Sequence, residues 1–220
     1  MSTKAAKSDL FAQFARIGKA LSSGKRLQML EYLAQGERSV DVLARMTELS
    51  VANTSQHLQQ LRQAGLVVAR KEGLYVRYRI SGDSVVRLLS AVRAAGEEHV
   101  AEVDKLVRLY FDSKDSLEPV PAEELLQRAK TGVVTVLDVR PPEEYAAGHI
   151  RGAINVPLAE LRKRLHEIPR SKEVVAYCRG PYCLLAYDAV LQLRKQGCKA
   201  RRLEDGFPEW KSAGLPVDIG

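Results

Sequence analysis

The segment Val133-Val134-Thr135-Val136-Leu137-Asp138-Val139 constrains this chain most tightly. It is almost continuously apolar and β-branched. A strand carrying apolar side chains on both faces has to be covered on both, as in a parallel sheet with helices on either side. A second run, Glu173-Val174-Val175-Ala176-Tyr177, leads straight into Cys178, and a third strand is expected over 199–203. Helical segments alternate with these runs: a short one at 121–130 carrying Leu125 and Leu126, and one from Leu184 to about Lys195. Strands alternating with helices define an α/β domain.

Nothing before residue 112 has this pattern. The polar stretch Asp112-Ser113-Lys114-Asp115-Ser116-Leu117-Glu118-Pro119 separates two differently patterned halves, and the boundary is placed near Ser116. The domains are thus 1–115 and 116–220, each of about 100 residues, close to the commonest domain size. An apolar fraction of 45% and a charged fraction of 28% exclude wholesale disorder. No apolar run approaches the roughly 18–20 residues of a membrane helix. No apolar stretch suited to a secretory signal follows the N-terminus. Three cysteines, Cys178, Cys183 and Cys198, all fall late in the chain. That count argues for reduced thiols and a cytoplasmic location rather than a disulfide scaffold. The net charge is +7, and it is localised: residues 1–93 carry a balance of +8 and residues 94–220 a balance of −1. A basic excess confined to one half suits either a polyanionic partner or a solvated surface.

The first half reads as a series of short helices. Leu10, Phe11, Phe14, Ile17 and Leu21 form one stripe, read as a packing helix rather than as part of a basic presequence. Leu27, Leu30 and Leu33 lead a second helix that stops at Gly36. Ser39 caps a third, and Thr47-Glu48-Leu49 makes a tight turn. Ser50 then caps a fourth helix, from Val51 to Ala64, which Gly65 ends. This is a helix-turn-helix layout, whose second helix lies in the DNA major groove. Val51, Leu58 and Leu61 are expected to be its buried stripe. Asn53, Thr54, Ser55, Gln56, Gln59 and Arg62 are left for the outer surface, where amides and hydroxyls suit base edges. A hairpin follows, with strands at 66–71 and 74–80 around Glu72-Gly73. Leu74, Val76, Tyr78 and Ile80 are expected to face the helices. Tyr75, Arg77 and Arg79 would face outward and, with Arg70 and Lys71, form a basic wing for phosphates or the minor groove.

The run Leu49-Ser50-x-x-x-x-Ser55-x-His57-Leu58-x-x-Leu61-x-x-Ala64-Gly65-Leu66-Val67, followed by the basic hairpin, resembles the ArsR-type repressors. The resemblance covers roughly residues 8–93. It implies a homodimeric winged-helix protein that binds double-stranded operator DNA, with Val51, Ala52, Ser55 and Gln56 facing the groove. His57 is read as a helix-packing residue. The family's thiolate metal site has no counterpart, since the third helix reads Val42-Leu43-Ala44-Arg45-Met46. Of the family's second metal site only Asp83 and His99 match, with Val85 and Gly96 at the other positions. Two ligands make a weak zinc site, so no metal is expected. Residues 83–110 carry Val85, Leu88, Leu89, Val92, Val100, Val103, Leu106, Val107 and Tyr110 at helical spacing over about seven turns. A striped helix that long needs a partner, and a second subunit is the preferred one.

In the second half, a strand leads into Cys178-Arg179-Gly180-Pro181-Tyr182-Cys183 and then a helix. Strand, tight loop and helix N-terminus form a recurring anion-binding unit. A cysteine heading that loop would have its thiolate stabilised, and Arg179 can add positive charge. Around it, Leu137-Asp138-Val139-Arg140, Glu144-Tyr145-x-x-Gly148-His149-Ile150-x-Gly152-Ala153-x-Asn155-Val156-Pro157, Tyr177-Cys178-Arg179, Gly206-Phe207-Pro208-x-Trp210 and Gly214-Leu215-Pro216-Val217 resemble a rhodanese domain over residues 119–220. The resemblance implies that Cys178 accepts sulfane sulfur as a persulfide, and that the six-residue loop suits sulfur transfer. Asp138, Arg140 and His149 are read as scaffold. Two positions depart from the family's pattern: Pro181 stands where glycine is usual, and Cys183 where arginine or serine is usual. These departures leave the loop with fewer flexible and cationic groups for thiosulfate turnover. Cys183 either packs at the helix start or resolves a Cys178 persulfide. Cys198 is read as a small core residue.

The expected architecture is therefore two domains. A mainly α winged helix-turn-helix with a β-hairpin wing precedes an α/β rhodanese domain with a mostly parallel sheet. The leading expectation is a DNA-binding regulator, a repressor, whose rhodanese domain senses or handles sulfane sulfur from a small donor such as thiosulfate or polysulfide. Two alternatives stand beside it: a sulfurtransferase with an appended DNA-binding domain, and a regulator with an inert rhodanese docking module. Nothing in the sequence calls for a bound cofactor.

Overall fold

The computed structural model describes residues 3–112 and 119–219. The chain divides into two compact units, Met1–Leu89 and Ser90–Gly220. The boundary expected near Ser116 lies outside the described residues.

In the first unit, α1 (Thr3–Leu21), α2 (Gly24–Ala34), α3 (Val40–Thr47) and α4 (Val51–Gln63) follow one another as expected. The caps explain the boundaries. Ser39 Oγ accepts from Val42 N at 3.4 Å and Ser50 Oγ from Asn53 N at 3.2 Å, each meeting an otherwise orphaned first-turn amide. The tight turn closes through Glu48, in the left-handed conformation at φ 56°. Met29, Leu30, Leu33, Leu43, Leu58 and Leu61 are fully enclosed and form the core with Leu66, Val67, Tyr78 and Val85.

The wing comprises β2 (Val67–Glu72) and β3 (Tyr75–Ile80), antiparallel, with Glu72 opposite Tyr75. The loop is therefore Gly73-Leu74, not Glu72-Gly73. Gly73, at φ 59°, takes the first central position of the two-residue turn, where a positive φ is needed. Leu74 is thereby moved to the tip, 99% exposed, rather than packed on the helices. A two-residue strand that the sequence did not signal, β1 (Arg38–Ser39), pairs with β3 and gives the order β1-β3-β2.

The expected continuous helix over 83–110 is interrupted. Helix α5 (Asp83–His99) stops at Val100, whose φ −113° and ψ 99° are extended. Helix α6 (Ala101–Val107) restarts and passes into one π-turn, Arg108–Asp112. Val100 still donates its N–H to Gly96 O at 2.9 Å, so the kink keeps one intrahelical bond. Helical periodicity persists across this break, which is why the pattern conceals it.

The second unit is built on β4 (Val134–Asp138), β6 (Ile154–Asn155), β7 (Glu173–Tyr177) and β8 (Ala200–Arg202), all parallel in the order β6-β4-β7-β8. Every residue of β4 is buried. Leu137, Val174 and Ala176 pack on one face with α9 (Leu184–Lys195). Val134, Val136, Val175 and Tyr177 pack on the other with Leu125 of α7 (Ala122–Lys130) and Phe207 and Trp210 of α10 (Phe207–Ser212). The two-sided burial expected of these runs is thus met. A short helix, α8 (Pro142–Ala147), and an antiparallel pair, β5 (His149–Ile150) with β9 (Val217–Asp218), complete the unit.

Asp138 and Arg140 form a fully buried ion pair at 2.6 Å below the sheet's carboxyl edge. The Tyr177 hydroxyl donates to Asp138 at 2.6 Å, and Arg140 also donates to Gly148 O at 2.8 Å. His149 stacks on Tyr145 with 3.7 Å between ring centroids. Asp138, Arg140 and His149 are thus tied to one another or to neighbouring backbone and rings inside the unit. Cys198 is buried in the α9-side core.

Candidate functional site

The HTH surface is set by how α4 rolls against its neighbours. Leu58 and Leu61 point inward, and the third member of the buried stripe is Thr54, not Val51. Thr54 is fully buried and donates its hydroxyl to Ser50 O at 2.9 Å, so it is removed from the outward-facing set. The threonine satisfies its hydroxyl locally and buries its methyl, which is how a polar residue joins an apolar stripe. Val51 is 49% exposed instead. Ala52, Asn53, Gln56, Gln59 and Arg62 are exposed, and Ser55 is half-buried. His57 is half-buried beside the buried Arg26, whose Nη1 lies 3.5 Å from His57 Nδ1. Burial, and then Arg26, push the imidazole below its ordinary pKa.

On the wing, Tyr75, Arg70, Lys71 and Arg79 are exposed and Arg77 is half-buried. The arginines do not stand alone. Arg70 pairs with Glu37 at 2.8 Å and Glu72 at 3.4 Å, Arg77 with Glu72, and Arg79 with Glu37 at 3.8 Å. Hydrogen bonding to Arg77 holds Glu72 below the usual carboxylate range. Exposed pairs of this kind contribute little to stability. No sequence pattern marks the two glutamates for this role; Glu37 is 33 residues from Arg70.

In the second unit, β7 delivers Cys178 to the sheet edge and Cys183 is the N-cap residue of α9. The loop between them closes with Cys183 N donating to Gly180 O at 3.1 Å. The two cysteines are 6.3 Å apart at Cα and are joined as a disulfide. Cys178 is buried and Cys183 half-buried. Cys183 both packs against the α9-side core at the helix start and touches Cys178, so the geometry is compatible with either reading of it.

The remaining loop residues are held from outside. Arg179 donates to buried Glu144 from both Nε and Nη2, at 3.1 and 2.8 Å. Its charge is therefore matched by a carboxylate rather than left over for a ligand. Gly206 presses directly on the loop: a Cβ there would lie 2.3 Å from Gly180 N and 2.4 Å from the Arg179 carbonyl carbon. Phe207 N donates to Cys178 O at 3.0 Å. Tyr182 donates its hydroxyl to Glu97 of α5 and packs on Phe111 at 5.3 Å. Burial, reinforced by Glu97, raises the phenol's pKa. Pro181 and Tyr182 also line a cavity of about 300 Å³ with Tyr187 and Arg202. Glu144 and Gly206 fall within the rhodanese-like motifs of the sequence. Their roles depend on contacts made across more than 25 residues.

Among the described residues, no group of three or more His, Cys, Asp or Glu side chains is placed to hold a metal ion. No helix among them is long and apolar enough to cross a membrane.

A winged helix-turn-helix joined to a parallel-sheet unit with a cysteine loop defines a two-part regulator, and sequence comparison agrees. Residues 23–68 match the bacterial regulatory protein arsR family and residues 121–213 the rhodanese-like domain family. The chain belongs to the ArsR-family HTH-type transcriptional regulators that carry a C-terminal rhodanese domain. It is 48% identical over 214 residues to the HTH-type transcriptional regulator Rv0324 of Mycobacterium tuberculosis, covering 97% of this chain and 94% of that one. It is 36% identical over 100 residues to a sulfurtransferase of Allochromatium vinosum, covering 44% of this chain and 92% of that protein. A solution structure of the homodimeric winged helix-turn-helix DNA-binding domain of a possible ArsR-family regulator from Mycobacterium bovis is 44% identical, with a TM-score of 0.42. That match covers 46% of this chain and 93% of the fragment.

Proposed function

We propose that this regulator is a homodimeric repressor whose rhodanese loop reads sulfane sulfur and alters DNA affinity accordingly. The observation that carries the reading is the pairing of Cys178 with Cys183 across the loop. In the proposed cycle the Cys178 thiolate attacks the sulfane sulfur of a polysulfide or of thiosulfate. A new S–S bond forms on Cys178, and the donor's own bond to that sulfur breaks. The rest of the donor leaves as a shorter polysulfide or as sulfite. The Cys183 thiolate then attacks the Cys178 sulfur of the persulfide and expels hydrosulfide. Two thiols are oxidised by two electrons, and the transferred sulfur takes up those electrons as sulfide. A reducing thiol meets Cys183 first, because it is the more exposed of the pair.

On the DNA side, Val51, Ala52, Asn53, Ser55, Gln56, Gln59 and Arg62 read the groove. The wing residues Arg70, Lys71, Tyr75, Arg77 and Arg79 hold the backbone. Leu10, Phe11 and Phe14 of α1 are each more than half exposed, an apolar face suited to a second copy. A two-fold dimer matches paired half-sites one helical turn apart. The location that goes with these roles is the cytoplasm, where the cysteines stay reducible.

The test is binding to the protein's own upstream DNA at fixed salt, reduced and then polysulfide-treated, with wild type beside Cys178→Ser. Salt is fixed because phosphate contacts make affinity steeply salt-dependent. A response in wild type that is absent from Cys178→Ser supports the reading. Tight binding unaffected by polysulfide in both proteins sinks it.

The likeness to a sulfurtransferase favours a second reading, in which the loop turns over. Steady-state transfer from thiosulfate to a thiol, lost in Cys178→Ser while DNA release is unchanged, would select it. The matched charge on Arg179 bears on both readings alike, because each begins with attack on an anionic sulfur donor.

A further inference from the structure

A cavity of about 450 Å³ lies in the first unit where the end of α1, the start of α2 and the last turns of α4 converge. It is lined by Arg16, Lys19, Ser22, Arg26, Gln60 and Gln63, with no acidic residue among its walls. Arg26 is 8% exposed, so a guanidinium is held inside the unit. Among the described residues its hydrogen bonds go to no carboxylate: they reach the carbonyls of Ala20 and Lys19, Gln60 Oε1 at 2.6 Å, Ser22 Oγ at 3.4 Å and His57 Nδ1 at 3.5 Å. Arg16 likewise donates to an amide oxygen, Gln13 Oε1 at 2.8 Å, and to a carbonyl, Gln63 O at 2.9 Å. The Lys19 ammonium has no hydrogen bond or ion pair among the described residues.

The wing makes the contrast. There every arginine is matched by Glu37 or Glu72. Around this cavity three cations converge with none. Buried charge is stable when it is paired, and of the three only Arg26 is buried; Arg16 and Lys19 add exposed charge at the cavity's rim. The hydroxyl and amide groups on the same wall supply further donors of the sort that oxyanions accept. The volume is that of a small-ligand site rather than a water pocket.

We infer that this cavity is an oxyanion site of phosphate type, held by Arg16 and Lys19 over the buried Arg26. An anion there touches α1, which bears the exposed apolar face, and α4, which presents the groove-facing residues. Occupancy can thus bear on DNA binding without involving the cysteines. Phosphate-type chemistry has two sources here, a free small molecule and the DNA backbone, and the experiment separates them.

The full chain is titrated calorimetrically with pyrophosphate, as wild type, as Arg16→Gln/Lys19→Gln, and as Lys19→Gln alone. Both side chains are exposed, and Lys19→Gln removes no intramolecular bond, so the test survives if Arg16→Gln loosens α1. In parallel, binding to a duplex of arbitrary sequence is measured across a salt series. A free-oxyanion site predicts that wild type binds pyrophosphate and the double variant binds it at least about tenfold more weakly. A backbone-phosphate site predicts instead that the salt slope for DNA falls by about 2 in the double variant, at about 0.9 for each phosphate no longer neutralised. If pyrophosphate does not bind wild type and the salt slope is the same in all three proteins, the inference is overturned.

Discussion

The Arg179 guanidinium meets the Glu144 carboxylate through Nε and Nη2, 35 residues away in sequence, with the glutamate side chain 2% exposed. Arg179, the residue after Cys178, is therefore a tether between the loop and α8. Its charge is already matched before any sulfur donor arrives.

Replacing that carboxylate should loosen the loop and unmask the cation. Glu144→Gln leaves a largely enclosed guanidinium without its counter-charge, a change that typically costs about 3 kcal/mol. We expect a lower melting temperature for the rhodanese unit and faster hydrogen exchange over 178–184. Reaction of Cys178 with thiosulfate should quicken relative to polysulfide. Unchanged exchange in the loop would show that the pair does not hold it.

Gly206 is expected to tolerate no side chain. A Cβ within 2.3 Å of Gly180 N meets backbone on a loop pinned at both ends, and overpacking of this kind costs about 1–3 kcal/mol or more. Gly206→Ala should displace the loop and slow Cys178–Cys183 disulfide formation, read by mass spectrometry after timed alkylation. Wild-type oxidation kinetics in this variant would contradict the close approach.

Helix α4 offers a paired test of which side faces DNA. Thr54→Val keeps the shape of a buried residue and loses only a local bond to Ser50 O, so DNA affinity should change less than twofold. Gln56→Ala removes an exposed amide from the same helix and should weaken specific binding by about 1–3 kcal/mol. Loss of DNA binding in Thr54→Val, with the melting temperature intact, would reverse this assignment.

The first unit should lose stability in mild acid through His57. Burial and Arg26 lower its pKa in the folded state below the ordinary 6.5. The unfolded chain therefore binds the proton more readily, and stability falls as pH drops below 6.5 toward the folded value. Denaturant midpoints of wild type and His57→Gln are compared between pH 7.5 and 5.5. The wild-type midpoint should fall relative to that of the variant as the pH is lowered. Parallel curves would mean that His57 is as easily protonated folded as unfolded.

Much of this protein was legible along the chain. The serine caps at 39 and 50, the stop after Ala64 and the two-faced burial of β4 follow from local rules, since each depends on neighbours within a few residues or on a period of 2 or 3.6. Local motifs located both domains and the cysteine that heads the loop. What the tertiary structure decided was where side chains end up when several local answers are equally good. Thr54 and Val51 lie three positions apart on α4, and only packing against α2 and α3 chooses which is buried. The break at Val100 leaves helical periodicity intact, so no pattern marks it. The partners of Arg179, Arg70 and Gly206 come from distant parts of the chain, and spacing in sequence carries no record of such contacts. The meeting of Cys178 with Cys183 is the intermediate case. Five residues of separation permit it, but the turn from Gly180 to Cys183 brings the two ends of the loop together.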